Sequence, residues 1–320
     1  MPSGNFSNCS RPSDFQHTLY AITYTAIFIP GLLANSVALW VLRSFITKKN
    51  KAIIFMINLA TADLAHVLSL PLRIYYYINH SWPFKHFACL LCFYLKYLNM
   101  YASIIFLTLI SVQRCVFTAN PFKAKDWKRR YDVGISICVW LVVGTACLPF
   151  PIYRSSGGNN STSCFADLGN NQINMITMSS MLIFAELFGF LVPMTVITYT
   201  SLKTSAQLKM DSLQCVNKRE KKKALRLVIT CACVFFICFT PYHITFFFYI
   251  MVSSNAIRNC TAQKIILTLH PISISLASIN CCLNPIMYYF TASEFQSEMA
   301  RRGNSMIRGR LMSKESASSF

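Results

Sequence analysis

Asp63 is the residue whose chemistry has to be explained first, because it lies inside an apolar run shortly after Asn58 and Leu59. A carboxylate in such surroundings is costly unless it is paired, hydrogen-bonded or neutralised. Ser103, Asn280 and Asn284 fall at matching depths of other apolar runs, and Asn35 on a further one. A carboxylate ringed by a hydroxyl and amides suits a sodium ion with waters. The same ring also suits a protonated, hydrogen-bonded structural centre. A second set is basic and aromatic: Arg73, Tyr77, Lys96, Tyr97, His243, Lys264 and His270, with Arg154 and Arg258 between the runs. Arg73 and Tyr77 are four residues apart and share a helix face. Such a rim above an apolar interior fits an anionic headgroup with a greasy tail, or a nucleotide. Taken singly, Arg73 or Lys96 is equally well satisfied by Glu186, Asp167 or water. The third feature is Asn284-Pro285-Ile286-Met287-Tyr288, where a proline interrupts the last apolar run and bends its helix.

The elements that position these residues follow from composition. The 320 residues are 54% hydrophobic and 13% charged, with a mean hydropathy of +0.43, whereas soluble domains average about 25% charged residues. A bilayer-crossing helix needs about 20 mostly apolar residues. Seven stretches qualify: 20–46, 52–78, 87–117, 131–153, 173–201, 224–252 and 262–290. They are called helices one to seven below. The expected fold is an all-α membrane protein, a seven-transmembrane helix bundle forming one domain over 20–290. Residues 1–19 form an outer segment and 291–320 an inner tail. No internal repeat is visible, which argues against a transporter built from repeats. His66, His243 and His270 are scattered without paired carboxylates, which argues against a membrane hydrolase.

The formal net charge of +19 does not point to nucleic acid. Basic residues cluster at Lys48–Lys51, Lys123–Arg130, Lys218–Lys223 and Arg301–Arg310, so every cluster lies on one side of the bundle. That side is cytoplasmic by the positive-inside rule and attracts anionic membrane lipid. An odd number of helices then leaves the N-terminus outside a plasma-membrane protein. Sequons at Asn5, Asn8, Asn79, Asn159, Asn160 and Asn259 all fall on that outer side. The first nineteen residues lack the apolar stretch of a cleavable signal. Of fourteen cysteines, Cys9, Cys89, Cys164 and Cys260 are outer. We pair Cys89 with Cys164, pinning the loop 154–172 over the bundle mouth, and Cys9 with Cys260. Cys92, one turn deeper than Cys89, is the rival partner.

Matches in register on all seven helices identify a resemblance. Asn35, Leu59-Ala60-Thr61-Ala62-Asp63, Cys89, Arg114, Trp140, Pro193, Pro241 and Asn284-Pro285-Ile286-Met287-Tyr288 resemble rhodopsin-like (class A) G-protein-coupled receptors over essentially the whole chain. Ser69-Leu70-Pro71-Leu72-Arg73 and Trp82-Pro83-Phe84 resemble their purinergic and lysophospholipid branch. The resemblance implies no enzyme activity, and a short amphipathic helix after the seventh span. It implies a sodium pocket at Asp63, Ser103, Asn280 and Asn284. It also implies an activation relay through Arg114, Phe239, Pro241, Asn284, Pro285 and Tyr288. The implied partners are an anionic lysophospholipid, lysophosphatidylserine first, a heterotrimeric G protein of the twelve/thirteen family, and arrestin at the serines of the tail. A nucleotide is the alternative ligand. Nucleotide-binding relatives usually carry a basic residue three positions after the helix-six histidine, and here that position is Phe246, followed by Phe247 and Phe248.

Three positions depart from the family pattern. Gln113 stands where an acid usually precedes Arg114, so a looser resting state is expected, and Gln113→Asp should lower ligand-free signalling. Phe239 stands in place of the usual helix-six tryptophan. Ser201 stands where a helix-five tyrosine is expected, with Tyr199 two residues earlier.

Overall fold

The computed structural model describes residues 13–45, 53–149, 151–152, 164, 175–210, 218–254 and 256–291. Every regular element among them is helical. Seven helices are long and apolar enough to cross a membrane: Asp14–Arg43, Ile53–Asn79, His86–Ala119, Arg129–Cys147, Ser179–Lys209, Lys221–Ser253 and Cys260–Pro285. Helix one begins at Ser13 and so reaches further out than its apolar run. The amphipathic helix expected after the seventh span lies outside the described residues.

Helix three is the central strut, packing against helices two, four, five and six. Its residues Ala102, Ile104, Phe106, Leu107 and Ile110 are fully buried. In most of the other spans less than half of the apolar window is buried within the bundle. That is the expected pattern when hydrocarbon covers the outside and only one stripe of each helix meets protein.

The helix-five and helix-six prolines lie next to widened turns. Leu187–Leu191 in helix five and Phe235–Phe239 in helix six are π-helical, and the Val192 amide donates to the Leu187 carbonyl five residues back. Pro193 and Pro241 lack an N–H, and their rings crowd the preceding turn, so a π turn relieves both defects. The helix-five turn contains Gly189, where a Cβ would lie 2.5 Å from Tyr101 Cε1. A glycine there lets helix five approach helix three. A short helix, Pro121–Asp126, follows helix three on the inner side. It was not anticipated from hydropathy, because six residues carry no apolar periodicity.

Candidate functional site

The polar centre forms around Asp63, which is fully buried. Asn284 Nδ2 donates to Asp63 Oδ2 at 2.9 Å, and Asn99 Nδ2 to Asp63 Oδ1 at 2.9 Å. Asn99 also donates to Ser103 Oγ at 3.4 Å. Asn35 holds helix one to helix seven through the Cys281 carbonyl at 2.7 Å. The side-chain oxygens of Asn280 and Asn284 are buried without a protein partner. A carboxylate, a hydroxyl and two amide oxygens lacking protein donors form a hard, anionic donor set, which fits a small cation better than a soft metal.

The outer half holds the basic and aromatic residues. Arg73 is 1% exposed. Its Nη2 donates to the Cys92 carbonyl of helix three, and its guanidinium lies 6.0 Å from the Phe93 ring centre. Tyr24 of helix one and His66 of helix two lie beside it. Tyr77 joins Tyr20 and Tyr24 in an aromatic cluster, with ring centres 4.9 and 5.9 Å away. Lys96 lies 5.5 Å over the Tyr97 ring. Across the bundle, fully buried His243 meets Glu186 at 3.2 Å and stacks on Phe190 at 4.6 Å. His270 stacks on Tyr249 at 4.5 Å and contacts Thr245 Oγ1 at 3.2 Å. Arg258 and Lys264 are exposed at the outer rim.

Cys89 and Cys164 form a disulfide with a Cα–Cα distance of 5.6 Å, and Cys92 is a free thiol. The rival pairing is thereby excluded. Cys260 is disulfide-bonded, while its expected partner Cys9 lies outside the described residues. So do the sequons at Asn5, Asn8, Asn159 and Asn160. Asn79 is exposed at the end of helix two. Asn259 caps helix seven, its side-chain oxygen accepting from the Thr261 and Ala262 amides at 2.9 and 3.1 Å.

At the inner end, half-buried Arg114 lies beside Cys231 of helix six. Gln113 is buried, and its Nε2 donates to Asp132 Oδ1 at 2.8 Å. Phe239 is fully buried against Phe235. Tyr199 is 61% exposed on the outside of helix five, so it contributes nothing to an internal relay.

The family model of the seven-transmembrane receptor (rhodopsin family) matches residues 34–288. The chain belongs to the rhodopsin family of seven-transmembrane receptors. A human relative provisionally named P2Y purinoceptor 10 is 62% identical over 306 residues, covering 96% of this chain and 90% of the relative. A human relative provisionally named G-protein coupled receptor 174 is 46% identical over 300 residues, covering 92% and 90%. The chicken lysophosphatidic acid receptor 6 is 33% identical over 300 residues, covering 92% and 97%. The protein is therefore a multi-pass plasma-membrane receptor of the class that signals through G proteins.

Of the receptor's expected sodium-pocket residues, Asn284 and Ser103 both reach the Asp63 carboxylate, and Asn99 bridges Asp63 and Ser103. Asn280 is fully buried, and its side chain makes no protein hydrogen bond. Asn99 was missed, although it is another amide one helical turn before Ser103 and the same depth argument would have found it. The receptor's outer residues fall into two groups, Arg73 with Tyr77 and Lys96 with Tyr97 on helices two and three, and His243 and His270 on helices six and seven. Pro285 is buried at the inner part of helix seven; nothing is described of the Tyr288 side chain. Asp132 was also missed, because nothing in a sequence links a helix-four carboxylate to the residue beside Arg114.

Proposed function

We propose that the receptor binds an anionic lysophospholipid, lysophosphatidylserine as the lead ligand, and drives nucleotide exchange on a heterotrimeric G protein of the twelve/thirteen family. The observation that carries this reading is Phe246. It stacks on Tyr242 at 5.5 Å and lies 6.2 Å from the His270 ring, an aromatic surface where a nucleotide site would want a phosphate-binding cation. Phe247 and Phe248 are 44% and 42% exposed. Successive helix residues turn about 100°, so these two extend the apolar surface around the helix, outside the stack. The relatives named for lysophosphatidic acid support a lipid, and the relative named as a purinoceptor keeps a nucleotide as the alternative.

In this reading Arg73 and Lys96 take the headgroup, and Arg258 and Lys264 draw anions to the mouth. The aromatic walls take the acyl chain, at about 0.8 kcal/mol for each buried methylene. The ligand favours one of two packings through its differential affinity alone. The π turns beside Pro193 and Pro241 are where helices five and six yield, opening the inner cleft beside Arg114. Sodium held at Asp63 would neutralise its charge and favour the resting packing. The N-terminus lies outside, and phosphorylation of Ser305, Ser313, Ser316, Ser318 and Ser319 recruits arrestin.

The test is a panel of lysophospholipids and nucleotides in a G-protein dissociation assay. Arg73→Ala and Lys96→Ala receptors, matched for surface level, run beside the parent. A lipid response lowered roughly ten- to hundredfold in the variants is expected, the size of one charge-assisted hydrogen bond. A response to nucleotides alone, or one unaltered in both variants, overturns the assignment.

A further inference from the structure

Asp132 is 1% exposed, although Arg129, Arg130, Tyr131 and Val133 around it are exposed. Its Oδ1 accepts from Gln113 Nε2 and from Trp127 Nε1, both at 2.8 Å. Its backbone carbonyl accepts from Ser136 Oγ at 2.8 Å. Ser136 in turn accepts from Asn58 Nδ2 at 3.2 Å, and Asn58 Oδ1 accepts from Trp140 Nε1 at 2.7 Å. The carboxylate thus joins helix four to helix three and the second inner loop, while the backbone carbonyl of the same residue starts a separate chain of bonds to helix two. A buried carboxylate requires such donors, and removing either would weaken its compensation.

Trp127 is the loop's anchor. Its ring packs edge-on between Phe117 of helix three and Tyr131 of helix four, at 5.8 and 5.5 Å. It directly follows the short helix Pro121–Asp126, on which Phe122 is 84% exposed. A large apolar side chain on the inner face is held out by a helix whose end is tied to Asp132. The residue that ties Asp132 to helix three is Gln113, next to Arg114. The family pattern has an acid at 113, and a carboxylate there would face the Asp132 carboxylate across a hydrogen-bond distance. The glutamine and the displaced acid are therefore complementary.

We infer that Asp132 is a positioning residue for G-protein engagement: through Gln113 and Trp127 it couples helix three, beside Arg114, to the second inner loop. The inference rests on coupling to a G protein and is independent of which ligand the outer pocket takes. It gives a different cause for the fall expected of Gln113→Asp. Facing carboxylates would release the loop and so lower ligand-free exchange, where sequence alone suggested a restored latch.

The test is a double-mutant cycle in the full-length receptor. Gln113→Leu, which removes the donor, and Asp132→Asn are made singly and together, beside Gln113→Asp and Trp127→Phe, the latter removing the indole donor and part of its ring. Ligand-free nucleotide exchange per folded receptor is measured, together with amide hydrogen exchange over residues 121–132. Each single variant should lower ligand-free exchange by at least about threefold and speed amide exchange in the loop, and raised exchange overturns the inference. The double variant Gln113→Leu/Asp132→Asn should lower exchange and loop protection no further than the larger single effect, the non-additivity of a direct pair. Additive single effects overturn the inference. So does a loosened loop that leaves nucleotide exchange unaltered. If the parent itself drives no exchange on any G protein, the proposed function fails on that result, whereas unchanged loop protection in the single variants overturns only the Asp132 link.

Discussion

Asn99 and Asn284 give their amide hydrogens to the two oxygens of Asp63, and that allocation makes the centre testable. With both donors facing the carboxylate, their own oxygens are directed elsewhere, and the Asn284 oxygen has no protein partner. Asp63→Asn removes the charge but hardly any volume. Thermal stability of the parent should rise with sodium chloride beyond the matched effect of choline chloride. In Asp63→Asn that difference should vanish, and its persistence would remove the ion from this site. Arg73 is the second residue-scale case. Arg73→Lys keeps the charge but loses the planar fork that reaches the Cys92 carbonyl, so it should recover only part of the ligand response lost in Arg73→Ala. Concentration–response curves at matched expression decide this, and full recovery would reduce the role of Arg73 to bulk charge.

Helices five and six come together where their backbones are least regular. Phe190, within the helix-five π turn, stacks on Phe235 at 5.7 Å and on His243, and Glu186 closes the same contact one turn above. Gly189 faces Tyr101 of helix three, whose ring also lies 6.0 Å from His243. Gly189→Ala should push helix five off helix three and lower stability by roughly 1–3 kcal/mol, the usual range for overpacking. Thermal denaturation of purified receptor measures it, and an unshifted midpoint would mean that Tyr101 yields freely. These contacts also mark how far sequence carries. Pro193 and Pro241 announced kinks, because a missing N–H is a property of the residue alone. The π turns, Glu186–His243 and Gln113–Asp132 depend on rotations between helices that hydropathy does not encode. Asp63 stood out because burying charge is so costly that few arrangements are allowed, whereas Asp132, at the start of helix four and next to three basic residues, carries no sign of burial in the sequence.

The whole molecule is built around helix three, and the Cys89–Cys164 bridge secures its outer end across 75 residues of sequence. Closing a loop of that length contributes on the order of 4 kcal/mol in the chain-entropy account. Cys89→Ser should therefore lower the denaturation midpoint and weaken ligand binding more than it alters ligand-free exchange, since Cys89 stands at the outer end of helix three, far from the inner face. Radioligand binding and nucleotide exchange on the same preparation separate the two effects. Equal losses in both would point to general misfolding.

Arg73 lies about two turns inside the outer end of helix two and donates to a carbonyl of helix three. An arginine at the centre of an isolated helix costs about 2.5–3.5 kcal/mol of insertion free energy, and less two turns from its end. Helix two should therefore leave the translocon less readily alone than once helix three supplies the Cys92 carbonyl. Nascent chains ending after residue 85 should stay within reach of translocon crosslinkers, and chains extended past residue 119 should partition into lipid.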